Sequence, residues 1–399
     1  DIHIMIRTLH QRRHWQLYSF CSYSTGTCDG RDHGTTEKGK RAIKERPKGH
    51  PHPRNSFQGT YDMDRLVASY PLLDPHLIMG PAGRKTVDWS DSAAVRALNT
   101  ALLVADYGVN PTYSDMLPPR ALCPPVPGRA DYVHHIADAL QKALPDNGAR
   151  DGVGAVPRGS AITGMDIGTG ASCIYPIIAS SVYGWRMIAS DINSSSISSA
   201  GEIVAANGHG DLIDVRHQEN SNRSIFDGVL RVGENIDFAM CNPPIYPSME
   251  AYQAENARKV RGLSKKKHLN RKRGKVARNT QVGSPSNSTA SSNNFGGTDC
   301  ELWCDGGEIA FVKRIMTESE RYRDRCLWFS SLVSRKDSLT TLESFVNSGQ
   351  KNRNDGRSHG VQTVQRVSMG TGKKNSTILM WSFLDEGERR DWARMRNWG

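Results

Sequence analysis

The chain has 399 residues, enough for one large domain with additions or for two domains. Hydrophobic residues make up 37%, and no run of about 20 apolar residues occurs, so no membrane span is expected. The formal net charge of +11 suits a polyanionic partner, because each lysine or arginine that neutralises a phosphate releases a counterion; a soluble protein with basic tails has the same charge.

Residues 1–50 lack hydrophobic periodicity and end in a basic run, Lys38 to Lys48. They are expected to be disordered, or ordered only on RNA. Arg7, Arg12, Arg13 and Arg31, with many Ser and Thr and few acids, give residues 1–32 the composition of an organelle transit peptide. An unstructured extension has that composition too. The expected location is therefore cytoplasmic, or organellar if residues 1–47 are such a peptide.

Residues 51–150 read as a helical region. A short helix is predicted within Tyr61–Tyr70, with Met63, Leu66 and Val67 on one face. A second spans 91–106, where Val95, Leu98, Leu102 and Ala105 form a stripe behind a cap at Ser90 or Asp91. A third runs from Tyr132 to Leu144.

From 151 to 385 strands alternate with helices. Strands are predicted at Ile162–Gly168, Arg186–Asp191, Leu212–Arg216 and Ile236–Cys241, and helices at Ser172–Val182, Ser195–Asn207 and Ile225–Leu230. This spacing gives an α/β fold with a parallel sheet and crossover helices. Residues 256–298 interrupt it with a cationic block, Lys265 to Lys275, and a Ser/Asn/Gly tract, from which no core can be built. A helix at Gly307–Arg321, a strand at Cys326–Leu332, a helix at Leu339–Ser348 and late strands at Gly360–Val367 and Ser376–Phe383 follow. Residues 386–399 read as a tail.

The eight cysteines are scattered, and none forms a C-x-x-C pair. Cys300 and Cys304 come nearest to metal spacing, but no second pair of Cys or His completes a site. They read as reduced thiols, and no metal is expected.

Three signals carry chemistry. In Met165–Ala171 a strand ends at Asp166 and turns at Gly168 and Gly170, where backbone can approach a ligand closely. Cys173 stands where the third glycine of a dinucleotide fingerprint would be, so a pyrophosphate is not the obvious ligand. Asp191 ends the next strand about 20 residues on, where an acid accepts from ribose hydroxyls; it also suits a helix cap. Together these describe an adenosine pocket without phosphate, which S-adenosylmethionine fits. The third signal is Asn242-Pro243-Pro244 after the fourth strand. An exocyclic ring amine is a poor nucleophile because its lone pair is delocalised. The Asn242 side-chain oxygen and the Pro243 carbonyl can accept its two N–H hydrogens, with the prolines stiffening the loop. Positioning and charge compensation then supply most of the rate.

Several longer stretches add to these: His52–Asn55 with Tyr61-Asp62, Ala94–Asn99, Leu122–Tyr132, Asp166–Pro176, Ser190–Ile192, Cys241–Pro244, Asn294–Gly297, Glu301–Glu308 and Trp381–Leu384. On them the chain resembles the bacterial 23S rRNA adenine-N6 methyltransferases and, more distantly, the eukaryotic enzymes that methylate U6 small nuclear RNA. The ribosomal branch is the closer one, through Leu122–Tyr132 and Glu301–Cys304. The resemblance implies a class I, Rossmann-like methyltransferase with a mostly parallel seven-stranded sheet and a small helical N-terminal RNA-binding region. It implies a monomer that acts on ribosomal RNA with S-adenosyl-L-methionine. Arg96 would meet the donor's carboxylate, and Asp166, Gly168, Thr169 and Gly170 would line the donor site. Asp191 would hold the ribose, and Asn242, Pro243 and Pro244 would receive the amine. Arg54, Asn55 and basic residues such as Lys265, Lys266, Lys267, Arg271 and Arg273 would touch RNA. One departure stands out: the family places a base-stacking aromatic after Asn-Pro-Pro, and this chain has Ile245, then Tyr246, which is expected to substitute in part.

Plainer readings exist. Arg96 lies on an amphipathic helix, where arginines are mostly solvated. His134, His135, Trp303 and Trp328 fit surface or core positions, and the Lys265–Lys275 block fits a solvated tail. Two rival functions are methylation of a release-factor glutamine, which also uses Asn-Pro-Pro, and RNA binding by a catalytically weakened relative.

Overall fold

Three helices lead into the sheet. The computed structural model describes residues 50–80, 83–118, 121, 124–144, 156–220, 224–255, 257–258, 302–351, 360–371 and 374–398. The basic extension before residue 50 and the Lys265–Lys275 block with its Ser/Asn/Gly tract lie outside these. The described residues belong to one compact unit, Pro47–Gly399.

Helix α1 (Met63–Ser69) starts at Asp62, whose side chain accepts from the Arg65 N–H, and buries Met63 and Leu66. A hairpin of three-residue strands follows, β1 (Leu77–Met79) against β2 (Lys85–Val87), too short to give a sequence pattern. Helix α2 (Ser92–Tyr107) is capped by Asp91 and ends at Gly108 in the left-handed region. Val95, Leu98 and Leu102 are buried, as their spacing predicts. Helix α3 (Val126–Gln141) starts six residues before the expected Tyr132. Pro127 sits in its first turn, where a proline is tolerated because that N–H has no helical partner. The Asn99 side chain supplies a cap from α2, accepting from the Val126 N–H at 3.0 Å.

The sheet then builds in sequence: β3 (Thr163–Ile167), α4 (Ile174–Tyr183), β4 (Arg186–Asp191), α5 (Ser194–Ala206), β5 (Ile213–His217), β6 (Ile236–Cys241), α6 (Gly307–Ser319), β7 (Cys326–Val333), α7 (Lys336–Lys351), β8 (Thr363–Thr371) and β9 (Lys374–Ser382). Spatial order is β5-β4-β3-β6-β7-β9-β8. The first five strands are parallel, and β9 pairs antiparallel with both β7 and β8. This is the expected seven-stranded, mostly parallel α/β fold. The chain winds outward from β3 to β5, then returns to the other side of β3 with β6. The crevice between β3 and β6 is thus the topological switch point, where open α/β sheets bind ligands beyond the strand C-termini.

Helices cover both faces. Phe238 and Met240 face the layer holding α3 and α4, whereas Ala239 and Cys241 face the layer holding α6 and α7. Among the described residues, two expectations of secondary structure fail. Residues 225–230 form turns, not a helix, with a bridge between Asp227 and Leu230. Ile225, Phe226, Val229 and Leu230 are buried at a spacing that mimics a helix. Six residues are too few to nucleate one, and Glu318 instead takes the Ile225 N–H and the Ser224 hydroxyl. The supposed tail contains helix α8 (Glu386–Met395), opened by a capping box between Asp385 and Glu388. Trp392 and Trp398 are buried against the sheet's core. No helix among the described residues is long and apolar enough to cross a membrane.

Candidate active site

Three strand ends lie level at the switch point. Ile167 pairs with Ser190 on one side and with Cys241 on the other. Gly168, Asp191 and Asn242 each follow directly, so consecutive strand ends about 4.8 Å apart carry all three. The sequence signals, scattered over more than 70 residues of chain, meet on one edge.

The glycine turn is held from β4. The Ser190 carbonyl accepts from both the Gly168 and the Thr169 N–H, each at 2.9 Å. Asp191 closes the turn: Oδ2 accepts from the Gly170 N–H at 2.8 Å, and Oδ1 accepts from the Asn193 N–H at 2.9 Å. The cap of α5 is Asn193, so Asp191 binds the turn and keeps lone pairs for a ligand. Gly168 and Gly170 have φ of 74° and 63°, and a Cβ on Gly168 would meet nothing within 4 Å. Cys173, in place of a third glycine, adopts φ 48°.

Behind this turn a group of buried polar atoms is short of partners among the described residues: both Asp166 carboxylate oxygens, the Thr169 hydroxyl and Arg129 Nε make no well-formed hydrogen bond, with Thr169 near enough to Asp166 to act on it electrostatically. Burial pushes the Asp166 carboxyl up to about 7, against the pull of Thr169 and of the Arg129 cation. Burial raises Asp191 as well, opposed by the N–H groups of Asn193 and Gly170. Such a set is costly in a folded protein unless a ligand completes it.

The cation beside Asp166 is Arg129 of α3, which sequence reasoning missed although it lies inside Leu122–Tyr132. Its Nη1 donates to the Tyr175 hydroxyl at 2.6 Å, and its guanidinium lies over the Tyr175 ring. Arg96 lies half-buried on α2, with Nη1 3.4 Å from the Ser114 carbonyl. Arg129 stands one turn before Tyr132, whose hydroxyl reaches the other side of the site. Ser330 Oγ donates to the Ala239 carbonyl, so the Tyr132 hydroxyl donates to Ser330 at 2.9 Å and accepts from the Cys241 N–H at 3.4 Å. Helix α3 thereby supports the strand end that carries Asn242.

In the Asn-Pro-Pro loop Asn242 and Pro244 are half-buried and Pro243 is buried. Ile245 is 37% exposed. Tyr246 is buried, with its ring edge-on to Tyr252 at 5.2 Å. Tyr246 therefore packs inward in this state, and Ile245 is the residue that faces out beside Asn242–Pro244.

Arg54 and Asn55 are committed internally. Arg54 donates to the Tyr183 hydroxyl, the His134 carbonyl and Asp138. Asn55 is 4% exposed and donates to the Pro127 carbonyl and Asp131. Both fasten the segment at 52–58 onto α3, and the Arg54 side chain stays 29% exposed. Lys265, Lys266, Lys267, Arg271 and Arg273 lie outside the described residues.

His52, His135 and Asp138 bring possible metal-ligand atoms within 4.8 Å of one another. Hydrogen bonding opposes an ion there. His52 Nδ1 accepts from the Arg54 N–H, so the neutral ring carries its proton on Nε2, which donates to Asp138 at 3.0 Å. Burial pushes Asp138 up, but His52 and Arg54 outweigh it and hold the carboxyl well below its usual range.

Comparison with known proteins places the chain in a family. Ribosomal RNA large subunit methyltransferase F of Photobacterium profundum is 41% identical over 346 residues, covering 86% of this chain and 95% of that protein. The protein of the same name from Pseudomonas putida is 39% identical over 345 residues, covering 86% and 96%. The human METTL16 catalytic domain in complex with the MAT2A 3'UTR hairpin 1 superimposes with a TM-score of 0.60 at 27% identity, covering 84% of this chain and 96% of that one. The N-terminal domain of human METTL16 in complex with SAH gives 0.57 at 26% identity, covering 84% and 100%. A sequence profile described as RNA methyltransferase matches residues 46–385. The chain belongs to this RNA methyltransferase family.

Proposed function

We propose that the protein transfers a methyl group from S-adenosylmethionine to the N6 amine of an adenine in large-subunit ribosomal RNA, acting as a monomer. The observation that carries this reading is the adjacency of the Gly168–Gly170 turn, Asp191 and Asn242 on consecutive strand ends. The relatives named for large-subunit rRNA methylation and the structural neighbours bound to an RNA hairpin and to SAH support the substrate class and the donor. The Lys265–Lys275 block supplies further RNA contact in this reading. N6-methyladenine mapping on large-subunit rRNA, with and without the protein, tests it. Loss of one methylated adenine on deletion supports the reading, and an unchanged map overturns it. A catalytically weakened, RNA-binding relative is the second reading, favoured by Ile245 in the aromatic's place; donor binding without transfer identifies it.

The unpartnered atoms fit the donor. Arg129 offers a cation for its carboxylate, Asp166 and Thr169 face its charged end, and Asp191 accepts from the ribose. Bound there, the donor supplies an electrophilic methyl on a sulfonium, so bond breaking needs no general acid. The chain's own task is to hold the amine in line, accept its N–H hydrogens at Asn242 and Pro243, and keep water out.

Two outcomes follow. Asp191→Ala lowers donor affinity by about 1–2 kcal/mol or more, because a charge-assisted pair is lost and the Gly170 N–H is released. Asp191→Asn, which keeps one acceptor oxygen, loses less. Calorimetry showing wild-type affinity for Asp191→Ala removes this residue from the donor site.

Donor binding also depends on pH through Asp166. In the free protein its carboxyl, raised to about 7, is largely protonated below neutrality. A cationic ligand favours the ionised form, so binding releases a proton there. Affinity is fully present above about pH 7 and falls as the pH drops through it, by at most about tenfold per unit. Titrations in buffers of different ionisation heat count the proton. A flat affinity from about pH 6 to 8 excludes the linkage.

A further inference from the structure

The Glu301–Glu308 stretch has no part in the reaction described so far, yet its residues from Leu302 onward wrap the amine-accepting loop. The Leu302 carbonyl accepts from the N–H groups of Ile245 and Tyr246 at 3.2 and 3.1 Å, and the Cys304 N–H donates to the Tyr246 carbonyl at 3.1 Å. Tyr246 and Trp303 form a parallel bridge. The turn closes with the Gly307 N–H on the Cys304 carbonyl at 2.8 Å.

Gly306 and Gly307 are both left-handed, with φ of 73° and 62°. They differ in what a side chain would meet. A Cβ on Gly306 would lie 2.6 Å from the Ala310 Cβ, inside its own helix. A Cβ on Gly307 would lie 3.0 Å from Pro247 N, 3.1 Å from the Ile245 carbonyl oxygen and 3.1 Å from the Tyr246 carbonyl carbon. All three are main-chain atoms continuous with Asn242–Pro244, and a backbone tied at 245 and 246 cannot swing aside as a side chain would. Nor can the helix retreat freely, because Glu308 Oε1 accepts from the Ser334 N–H at 2.6 Å, just past β7.

We propose that Gly307 is a positioning residue for methyl transfer: its missing side chain lets the start of α6 press directly on residues 245–247 and sets where the Asn242 and Pro243 oxygens stand relative to the donor turn. The proposal rests on the reading of Asn242–Pro244 as the amine acceptors. Contacts of 3.0 to 3.1 Å require a shift of a few tenths of an ångström; since about 1 Å can cost on the order of a hundredfold in rate, the scale expected here is severalfold.

The test compares the full chain with Gly307→Ala, Gly306→Ala and Glu308→Ala, reading kcat and KM on RNA, donor affinity and thermal midpoint. Gly307→Ala is expected to lower kcat by about fourfold to tenfold with donor affinity near wild type. Gly306→Ala carries the same left-handed backbone penalty and adds the 2.6 Å clash with Ala310 inside α6, without a contact to the loop, so it lowers the midpoint more than Gly307→Ala and leaves kcat within about twofold. Wild-type kcat in Gly307→Ala overturns the proposal, and so does an equal loss in both glycine variants, which would be turn strain alone. If Gly307→Ala does not fold, Glu308→Ala decides: freeing the anchor should lower kcat at unchanged donor affinity, and an unchanged kcat overturns the proposal. A wild-type protein that binds donor but methylates no RNA overturns the functional reading itself and the proposal with it, a result distinct from all of these.

Discussion

Asn242→Ala is expected to lower methyl transfer by about 10²–10³-fold while donor binding stays near wild type. In the proposed reaction, as the methyl moves onto the N6 amine, positive charge develops on nitrogen and its N–H bonds become stronger donors. Acceptors fixed in advance stabilise that charge more than they stabilise the bound substrate, and removal of one such fixed group typically costs about this factor. The protein holds them in place. Asn242 follows a strand end supported by Tyr132, and the loop beyond it is tied by two N–H groups to the Leu302 carbonyl. Pro244 has no N–H, so no ladder bond forms from it to compete for geometry at the Pro243 carbonyl. The proposed donor contacts come from other strands, which separates the two effects. Asn242→Asp keeps acceptor oxygens and should retain more turnover than Asn242→Ala. Single-turnover rates at saturating donor and RNA measure this. Wild-type turnover in Asn242→Ala would mean that the amine is not held there.

Why these residues were legible follows from where their roles reside. Asp166, the glycine turn, Asp191 and Asn-Pro-Pro announce themselves because each sits at a strand end, and strand ends follow from local apolar runs. The limits of β4 and β6 agree with the structure residue for residue. Arg129 does not announce itself. A lone arginine on a helix looks solvated, and only the approach of α3 to β3 sets it beside Asp166. Arg54 and Asn55 show the opposite limit: a basic and an amide residue in a loop look unengaged, because their partners on α3 are 70 or more positions away. The turns at 225–230 mislead because burial at helical spacing does not require a helix. By contrast α8 was written in the sequence, as Asp385 and Glu388 three apart.

The other large effect concerns that last helix. Asp237→Ala should destabilise the fold by about 3–5 kcal/mol, the range for removing one partner of a buried charged pair. Asp237 is fully buried at the start of β6. One oxygen accepts from Trp392 Nε1 at 2.8 Å and Arg396 Nε at 3.1 Å, and the other from the Thr163 N–H at 2.6 Å and Arg396 Nη2 at 3.0 Å. Alanine would leave Trp392 Nε1, Arg396 Nε and the Thr163 N–H without an acceptor, while Arg396 Nη2 keeps the Ala161 carbonyl at 3.2 Å; water can reach only part of the three, since the Arg396 side chain is 27% exposed and Trp392 is buried. Asp237→Asn fills the same space and keeps one acceptor, so its cost should be smaller. These contacts lie at the N-terminal edge of β3 and β6, opposite the edge that carries Gly168 and Asn242. Stability and donor binding should therefore separate: the folded fraction of Asp237→Ala should bind donor normally. Denaturant unfolding measures the first and calorimetry the second. A loss below about 1 kcal/mol would show that α8 is dispensable to the sheet, because only a fold that never depended on this carboxylate could lose it so cheaply.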